Sequence, residues 1–450
     1  MATHLPGLTT HIKQAAKVLP PITDPRFGSY FDQLGNYKVV CLGDGSHGTS
    51  EFYVARAEIT KRLIEHHGFD TVAVEADWPD SEAIDRYVRQ RPGVKSKLAP
   101  QKEESFQRFP TWMWRNNEVQ DFVHWMRDHN ANLPMERRTG FYGLDLYSMG
   151  VSIQSILKYL DRVDPAMAKL ARQRYGCLQP WVEDPAQYGL ATLTDPHMES
   201  CEKQIIQMLR DLLKKRLEYS AEQHDGEEFR STEQNAYVVA DAEAYYKAMY
   251  SRSADSWSLR DSHMFETLRR LLNAKPAASK AVVWAHNSHI GDARYTSMGT
   301  RRDELNLGQL CRQNLGRENV ALVGCCTHTG TVAAAHEWDE DVEIMNVKPS
   351  RPDSWEYVAH ESRIPSFLLD LRRDHADPHL VHTFSHQRKE RFIGVIYRPQ
   401  TEVMSHYSTA TLAGQFDAVV WFDETRAVQP LERTQPRTPL GVDETYPFGL

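Results

Sequence analysis

Residues 38–67 read KVVCLGDGSHGTSEFYVARAEITKRLIEHH. A β-branched run, KVVCLG (38–43), leads into a Gly-rich turn that carries Asp44 and His47. A helical pattern follows at once: Val54, Ala55, Ile59, Leu63 and Ile64 share one face, and Gly68 stands where a helix C-terminal glycine belongs. The next apolar run, TVAVEA (71–76), is a second strand. Strand, helix and strand at this spacing predict a right-handed βαβ unit. Further out, TGFYGLDL (139–146), AVVWAH (281–286), VALVGCC (320–326), RFIGVIY (391–397) and FDAVVWF (416–422) repeat the strand signal. Most are continuous apolar runs rather than alternations, the pattern of strands covered on both faces. The fold class expected is therefore α/β, a largely parallel central sheet flanked by helices.

Between Ser152 and Leu272 strand signals vanish. Ile205, Leu209, Leu212, Leu213 and Leu217 form an amphipathic stripe, and Glu233 to Tyr250 keeps a helical register. Because strands resume afterwards and must rejoin the same sheet, residues 152–272 are expected to be a helical insertion forming one wall of a wide cleft. Residues 1–151 and 273–450 then make the α/β catalytic core. The Pro-rich tail after Asp423 is expected to run over the surface.

With 53 basic and 61 acidic residues scattered along 450, the chain carries a net charge of −8. That balance argues against nucleic acid or an anionic membrane as principal partner. No apolar run is long enough to span a bilayer, and the N-terminus lacks a secretory core. Six cysteines without C-x-x-C spacing suggest a reduced, cytoplasmic protein.

Gly43-x-Gly45-x-x-Gly48 matches the dinucleotide fingerprint after a strand and before a helix. The content of the loop opposes that reading. Asp44 would repel a pyrophosphate, and His47 fills space where the phosphate should meet bare backbone. Thr49, Ser50 and Glu51 open the helix with capping residues and one more negative charge. The competing reading makes His47 a general base or a metal ligand, with Asp44 three residues earlier and Glu75 on the neighbouring strand fixing the imidazole.

A second histidine segment, AVVWAHNSHIGDAR (281–294), brings His286 and His289 just past another strand. The spacing is not that of a zincin. The histidines can hold zinc with a carboxylate, or donate to an oxyanion together with an arginine. SWSLRDSHM (256–264) adds Arg260, Asp261 and His263, and reads equally well as an exposed capping segment. Arg56 sits most simply on the polar side of its helix, and acts at the site only if it points back to the sheet edge. Trp112, Trp114, Asp145 and Tyr147 flank the loops; singly each aromatic fits a core, together some line a pocket. No G-x-S-x-G occurs, which disfavours a serine nucleophile on an α/β-hydrolase fold.

LGDGSHGTSEF, VAVEADWPD, FPTWMWRN, WSLRDSHM, VVWAHNSHIGDAR and IGVIYRPQTEVMSHY followed by QFDAVVWFDETRAVQPLE together resemble the erythromycin esterase family, over about residues 35–433. The resemblance implies an α/β sheet with helical insertions, and hydrolysis of a macrolide lactone by activated water without a covalent serine ester. It implies no cofactor, although remote relatives of the fold bind metal, so a divalent ion on the same histidines is the alternative. Residue by residue, His47 matches the family's essential histidine and proposed general base. Glu75 matches the second-strand glutamate, His286 and His289 the paired histidines, and Arg56 an arginine after the first motif. Asp44 departs from the family's glutamate by one methylene, so its contact with water or imidazole must shift.

The function expected is a hydrolase of a small-molecule ester or lactone. Asp44, His47, Arg56, Glu75, His286 and His289 are the candidate catalytic residues. Arg260, His263, Trp114, Tyr147, Asp145 and His406 are the candidate substrate contacts. A metabolite-binding protein without turnover is the reading from another class.

Overall fold

The apolar runs pair as expected, and their order explains where the histidines meet. A computed structural model describes residues 5–91, 105–221, 226–250, 253–372 and 375–436. Its strands are β1 (Lys17–Val18), β2 (Val39–Leu42), β3 (Phe69–Asp77), β4 (Gly140–Asp145), β5 (Lys280–Trp284), β6 (Val320–Ala334), β7 (Glu343–Val347), β8 (Ser366–Asp370), β9 (Arg388–Arg391), β10 (Tyr407–Ala410) and β11 (Ala418–Thr425). One nine-stranded sheet runs β1-β8-β11-β6-β2-β5-β3-β4, with β7 paired to β6. From β11 to β4 every neighbouring pair is parallel; β1, β7 and β8 join antiparallel. This is the α/β fold with a largely parallel sheet.

Helix Ser50–His67 forms as its pattern predicts and stops at Gly68, whose φ of 72° a residue with a Cβ would resist. Its N-cap Thr49 makes no capping hydrogen bond from its side chain. The hydroxyl lies 2.5 Å from Ser46 Oγ instead, tying the ends of the turn together.

Two of these expectations are corrected. β5 lies between β2 and β3, so Glu75 does not come from the strand beside His47. The run RFIGVIY (391–397) is not a sheet strand, since β9 ends at Arg391. Ile393 instead bridges to Ser46, exchanging backbone hydrogen bonds with His47 (2.9 Å) and Gly45 (3.0 Å), so this apolar segment roofs the first histidine loop. The tail up to residue 436 runs mostly over the surface, as expected, and is tied down there. β11 continues to Thr425, Val428 N donates to Gly48 O (2.9 Å), and buried Gln435 accepts from Thr111 N and Oγ1. Residues 437–450 lie outside the described residues.

The helical stretch has an apolar core of its own, including Ile153, Ile156, Leu160, Met208, Leu212, Phe229 and Tyr246. Helix Ser253–Asn273 packs differently: Met264, Phe265 and Leu268 bury themselves among the residues of the sheet. Within the stretch Cys177 and Cys201 are joined by a disulfide, against the expectation of an all-reduced chain; the other four cysteines are free and buried. No helix among the described residues is long and apolar enough to cross a membrane.

The three glycines of the fingerprint have their space filled by the protein itself. A Cβ at Gly43 would stand 2.1 Å from Asn287 Oδ1, at Gly45 2.8 Å from the Cys325 carbonyl, and at Gly48 2.1 Å from the Ala333 carbonyl. The start of the helix is covered too, because Ser50 N donates to Arg426 O at 2.7 Å. The glycines let β2, β5 and β6 close over one another, and leave no cradle for a pyrophosphate. Gly48 also has a φ of 69°. Gly48→Ala should therefore destabilise the fold by roughly 2–4 kcal/mol. Urea unfolding checks this; an unchanged midpoint would show that the loop yields.

Candidate active site

β2, β5, β3 and β4 are consecutive in the sheet and parallel, so their carboxyl ends deliver side chains to one edge. Such an edge is where open α/β sheets keep their ligands. β2 brings Asp44 and His47, β5 brings His286 and His289, β3 brings Glu75 and Asp77, and β4 brings Asp145. A register shift interrupts the pairing of β3 with β4 between Val74 and Asp77, the stretch that carries Glu75.

Asp44 and Arg56 form the first buried pair, with Nη2 2.9 Å from Oδ2. Arg56 does point back to the sheet edge. Its guanidinium lies 4.4 Å from the Tyr53 ring and 5.2 Å from that of Trp284, and its side chain is buried. Burial pushes the Asp44 carboxyl up, but the charges of Arg56 and His47 outweigh it and hold the group below its ordinary range. His47 Nδ1 stands 3.5 Å from Asp44 Oδ2, and the ring lines a pocket.

His286 faces His47, the ring centroids being 4.7 Å apart. Ser288 N donates to its Nδ1 at 3.3 Å, which places the proton of the neutral ring on Nε2. That Nε2 is buried without a hydrogen-bond partner. Burial, with the nearby charge of His47, lowers its pKa to about 3, so the ring is a neutral donor.

Glu75 does not reach His47 as expected. Its Oε2 accepts from His286 N at 2.8 Å, and its Oε1 accepts from Arg260 Nη2 at 2.7 Å and lies 3.3 Å from His289 Nε2. Arg260 also grips Asp145 through Nε (3.0 Å) and Nη2 (2.6 Å). His289 Nδ1 pairs with Asp261 Oδ2 at 2.8 Å, and the ring stacks on Trp257 at 4.5 Å. Burial alone would lower the His289 pKa; Asp261 and Glu75 overcome it and raise it to about 9. SWSLRDSHM is thus not an exposed cap. It lies inside helix Ser253–Asn273, with Arg260 and Asp261 buried against the sheet edge.

The pocket that His47, Glu75, Asp145 and Arg260 line has a cavity of about 60 Å³; Asp44, Arg56, His286 and His289 stand behind its wall and do not line it. Drug-sized ligands need roughly 300–1,000 Å³, so the cleft is narrow rather than wide. Asp145, Tyr147, Trp114 and Arg260 line it as expected. Arg260 is the sole lining residue from the helical stretch among the described residues; the opposite wall is Phe106, Phe109, Met113 and Trp114.

Two candidates lie elsewhere. His263 Nδ1 pairs with Asp241 Oδ2 at 2.6 Å, within the helical stretch, and His263 does not line the pocket. His406 accepts from Arg398 N at 3.1 Å and sits 3.1 Å from the Phe392 carbonyl, holding the 392–398 loop in shape. Trp112 is core. Sequence reasoning passed over Asp77, Asp80 and Arg108, which also line the pocket. The acid-rich strand end EADWPD was the available signal.

Among the described residues no three His, Cys, Asp or Glu side chains converge as metal ligands. Both nitrogens of His289 face carboxylates, and Nδ1 of His286 is taken by Ser288.

The erythromycin esterase profile matches residues 64–425. The chain belongs to the erythromycin esterase family. The matched stretch takes in Glu75, Asp145, Arg260, Asp261, His286 and His289, and begins after Asp44, His47 and Arg56. The protein YbfO of Bacillus subtilis (strain 168) is 20% identical over 404 residues, 87% of this chain and 84% of its own. An Escherichia coli protein named erythromycin esterase type II is 22% identical over 319 residues, 67% of this chain and 72% of its own. A Bacillus cereus protein shares the fold with a TM-score of 0.78 at 18% identity, over 96% of this chain and all of the other. A mutant of the erythromycin esterase EreC in its open conformation superposes with a TM-score of 0.64 at 15% identity, over 94% of this chain and all of the other. As an erythromycin esterase family member the chain is a hydrolase.

The His289 site of this family member makes a pH prediction. Its folded pKa of about 9 exceeds the ordinary 6.5. The stability it adds is complete below about 6.5 and is lost as pH rises through about 9. From pH 6.5 to 9 the wild type should lose roughly 2–3 kcal/mol more unfolding free energy than His289→Gln. Parallel urea-unfolding series at the two pH values test this, and equal losses would refute a charged His289–Asp261 pair.

Proposed function

We propose that this protein hydrolyses an ester or lactone of a small molecule, using water activated by His47. The observation that carries the reading is His47 on the pocket wall, backed by the buried Asp44–Arg56 pair, with the neutral ring of buried His286 4.7 Å from its own and Arg260 lining the same pocket. Nδ1 of His47 is turned to Asp44, which leaves Nε2 for a water on the pocket side. His47 takes a proton from that water as its oxygen bonds to the carbonyl carbon. Asp44, kept ionised by Arg56, stabilises the imidazolium. Negative charge moves to the carbonyl oxygen, where His286 Nε2–H and the Arg260 guanidinium donate. When the intermediate collapses, the C–O bond to the alcohol breaks and the alkoxide takes the proton back from His47. No serine ester forms. Glu75 acts as a positioning residue, fixing the backbone of His286 and the head of Arg260 at once; His289 and Asp261 brace them.

No cofactor enters this scheme. The rival is a divalent metal held by the same histidines, and the commitments of His286 and His289 favour the metal-free reading. The small cavity favours a compact acyl or alcohol group over a macrolide ring in this conformation.

Mass spectrometry of lactones and simple esters incubated with wild type and His47→Ala, with and without EDTA, tests the proposal. The expected product gains one water, forms in EDTA, and falls at least ~10²-fold in rate in His47→Ala. Full turnover by a folded His47→Ala protein would remove His47 as the base. Loss of product in EDTA would assign the histidines to a metal.

A further inference from the structure

β2 leaves the sheet early, and one side chain takes its place. Leu42 is the last residue of β2 paired with β6, opposite Val323, and Gly43 N donates to Val323 O at 2.8 Å. Beyond that point β6 runs on to Ala334, while the chain after β2 turns out into the loop of Asp44 and His47. Asn287 crosses from the end of β5 to β6. Its Nδ2 donates to Cys325 O at 3.0 Å, and its Oδ1 accepts from Cys325 N at 3.3 Å. One orientation of the amide satisfies both contacts.

The crossing holds the β2 loop as well. Asn287 N donates to Asp44 O at 2.8 Å. A Cβ at Gly43 would stand 2.1 Å from Asn287 Oδ1, so the side chain passes over the glycine that opens the loop. Asn287 is fully buried and stands between His286 and His289 in sequence. One residue thus joins the loop of His47, the turn of the paired histidines and strand β6. The rings of His47 and His286 have 4.7 Å between their centres, and no hydrogen bond from His286 sets that spacing. Its Nδ1 takes Ser288 N, and its Nε2 has no partner. The spacing therefore comes from how the two backbones are held.

We propose that Asn287 is a positioning residue for this site: it sets the spacing of the His47 and His286 rings, and without it the base and the oxyanion donor lose their register. The catalytic part of this inference rests on the hydrolase reading above; the ring spacing does not need turnover to be seen. Asn130 offers a matched comparison. It is fully buried, its Nδ2 donates to Thr139 O at 2.9 Å and its Oδ1 accepts from Thr139 N at 2.9 Å. That is the same two-way pairing, made just before β4 at the amino end of the sheet, away from the site.

The test replaces each asparagine by alanine in the full chain and reads two quantities. The first is an NMR titration of the histidine rings, with the His286 signal assigned by its loss in His286→Gln. In wild type this ring, with a pKa of about 3, stays neutral down to roughly pH 5. In Asn287→Ala its midpoint should rise towards the ordinary 6.5, because the ring moves from the charge of His47 and opens to water. The second is turnover of any ester or lactone that the wild type cleaves. There kcat should fall by about 10²-fold at nearly constant KM, the scale of a misplacement of about 1 Å. Asn130→Ala should move neither quantity, whatever stability it loses. Asn287→Ser, too short to reach Cys325, carries the test if the alanine variant does not fold. A folded Asn287 variant with the wild-type His286 titration overturns the proposal, and so do equal effects in Asn130→Ala. A titration that moves while kcat stays constant removes the catalytic role. A wild type that cleaves nothing counts against the hydrolase reading alone, and the titration then decides whether Asn287 sets the ring spacing.

Discussion

The carboxylate of Glu75 is the point on which the site depends. One oxygen takes the backbone N–H of His286 at the end of β5, and the other takes Arg260 from a helix more than a hundred residues away in sequence. Arg260 in turn reaches Asp145 on β4. A single buried charge thus fixes the relative placement of three strand ends and one helix. An unpaired carboxylate at this depth would cost several kcal/mol. The Arg260 guanidinium and His289 beside it offset that cost, and they hold Glu75 well below the usual carboxylate range although burial pushes the other way.

The same logic repeats along the edge. Asp44 faces Arg56, Glu75 and Asp145 share Arg260, and Asp261 faces His289. Each buried charge has an opposite neighbour, so the edge can be water-poor and still folded. Burial keeps His286 neutral, with no carboxylate paired to its ring nitrogens. A hydrogen bond from Ser288 N sets its tautomer and leaves the N–H on Nε2, in a ring 4.7 Å from that of His47. Chemistry at this edge therefore draws on groups whose charge states are set before any ligand arrives.

Much of this was legible in the chain. The apolar runs announced the strands because a parallel sheet is buried on both faces, so no solvent-facing alternation disguises them. Asp44, His47, Glu75, His286 and His289 could be singled out because each stands just after such a run. Less legible were β1, β7 and β8, which are short and lie towards the antiparallel edge. RFIGVIY misled for a physical reason: its apolar side chains are buried against the β2 loop, and burial looks the same in sequence whether the backbone pairs in a sheet or crosses over it. SWSLRDSHM was ambiguous because a buried ionic network and a solvated cap use the same residue types.

The sequence by itself determined the α/β class, the family and the set of chemical groups at the strand ends, since these follow from local periodicity and from which residue leaves which strand. Only the tertiary structure decided partnership. It placed β5 between β2 and β3, sending Glu75 to His286 and Arg260 instead of to His47. It turned Arg56 inward to Asp44 and carried His263 and His406 away from the pocket. It also closed Asn287 and the Cys325 and Ala333 carbonyls over glycines that read as a nucleotide loop. Partnership is a matter of strand order and of long-range charge compensation. Neither leaves a trace in the spacing of residues along the chain.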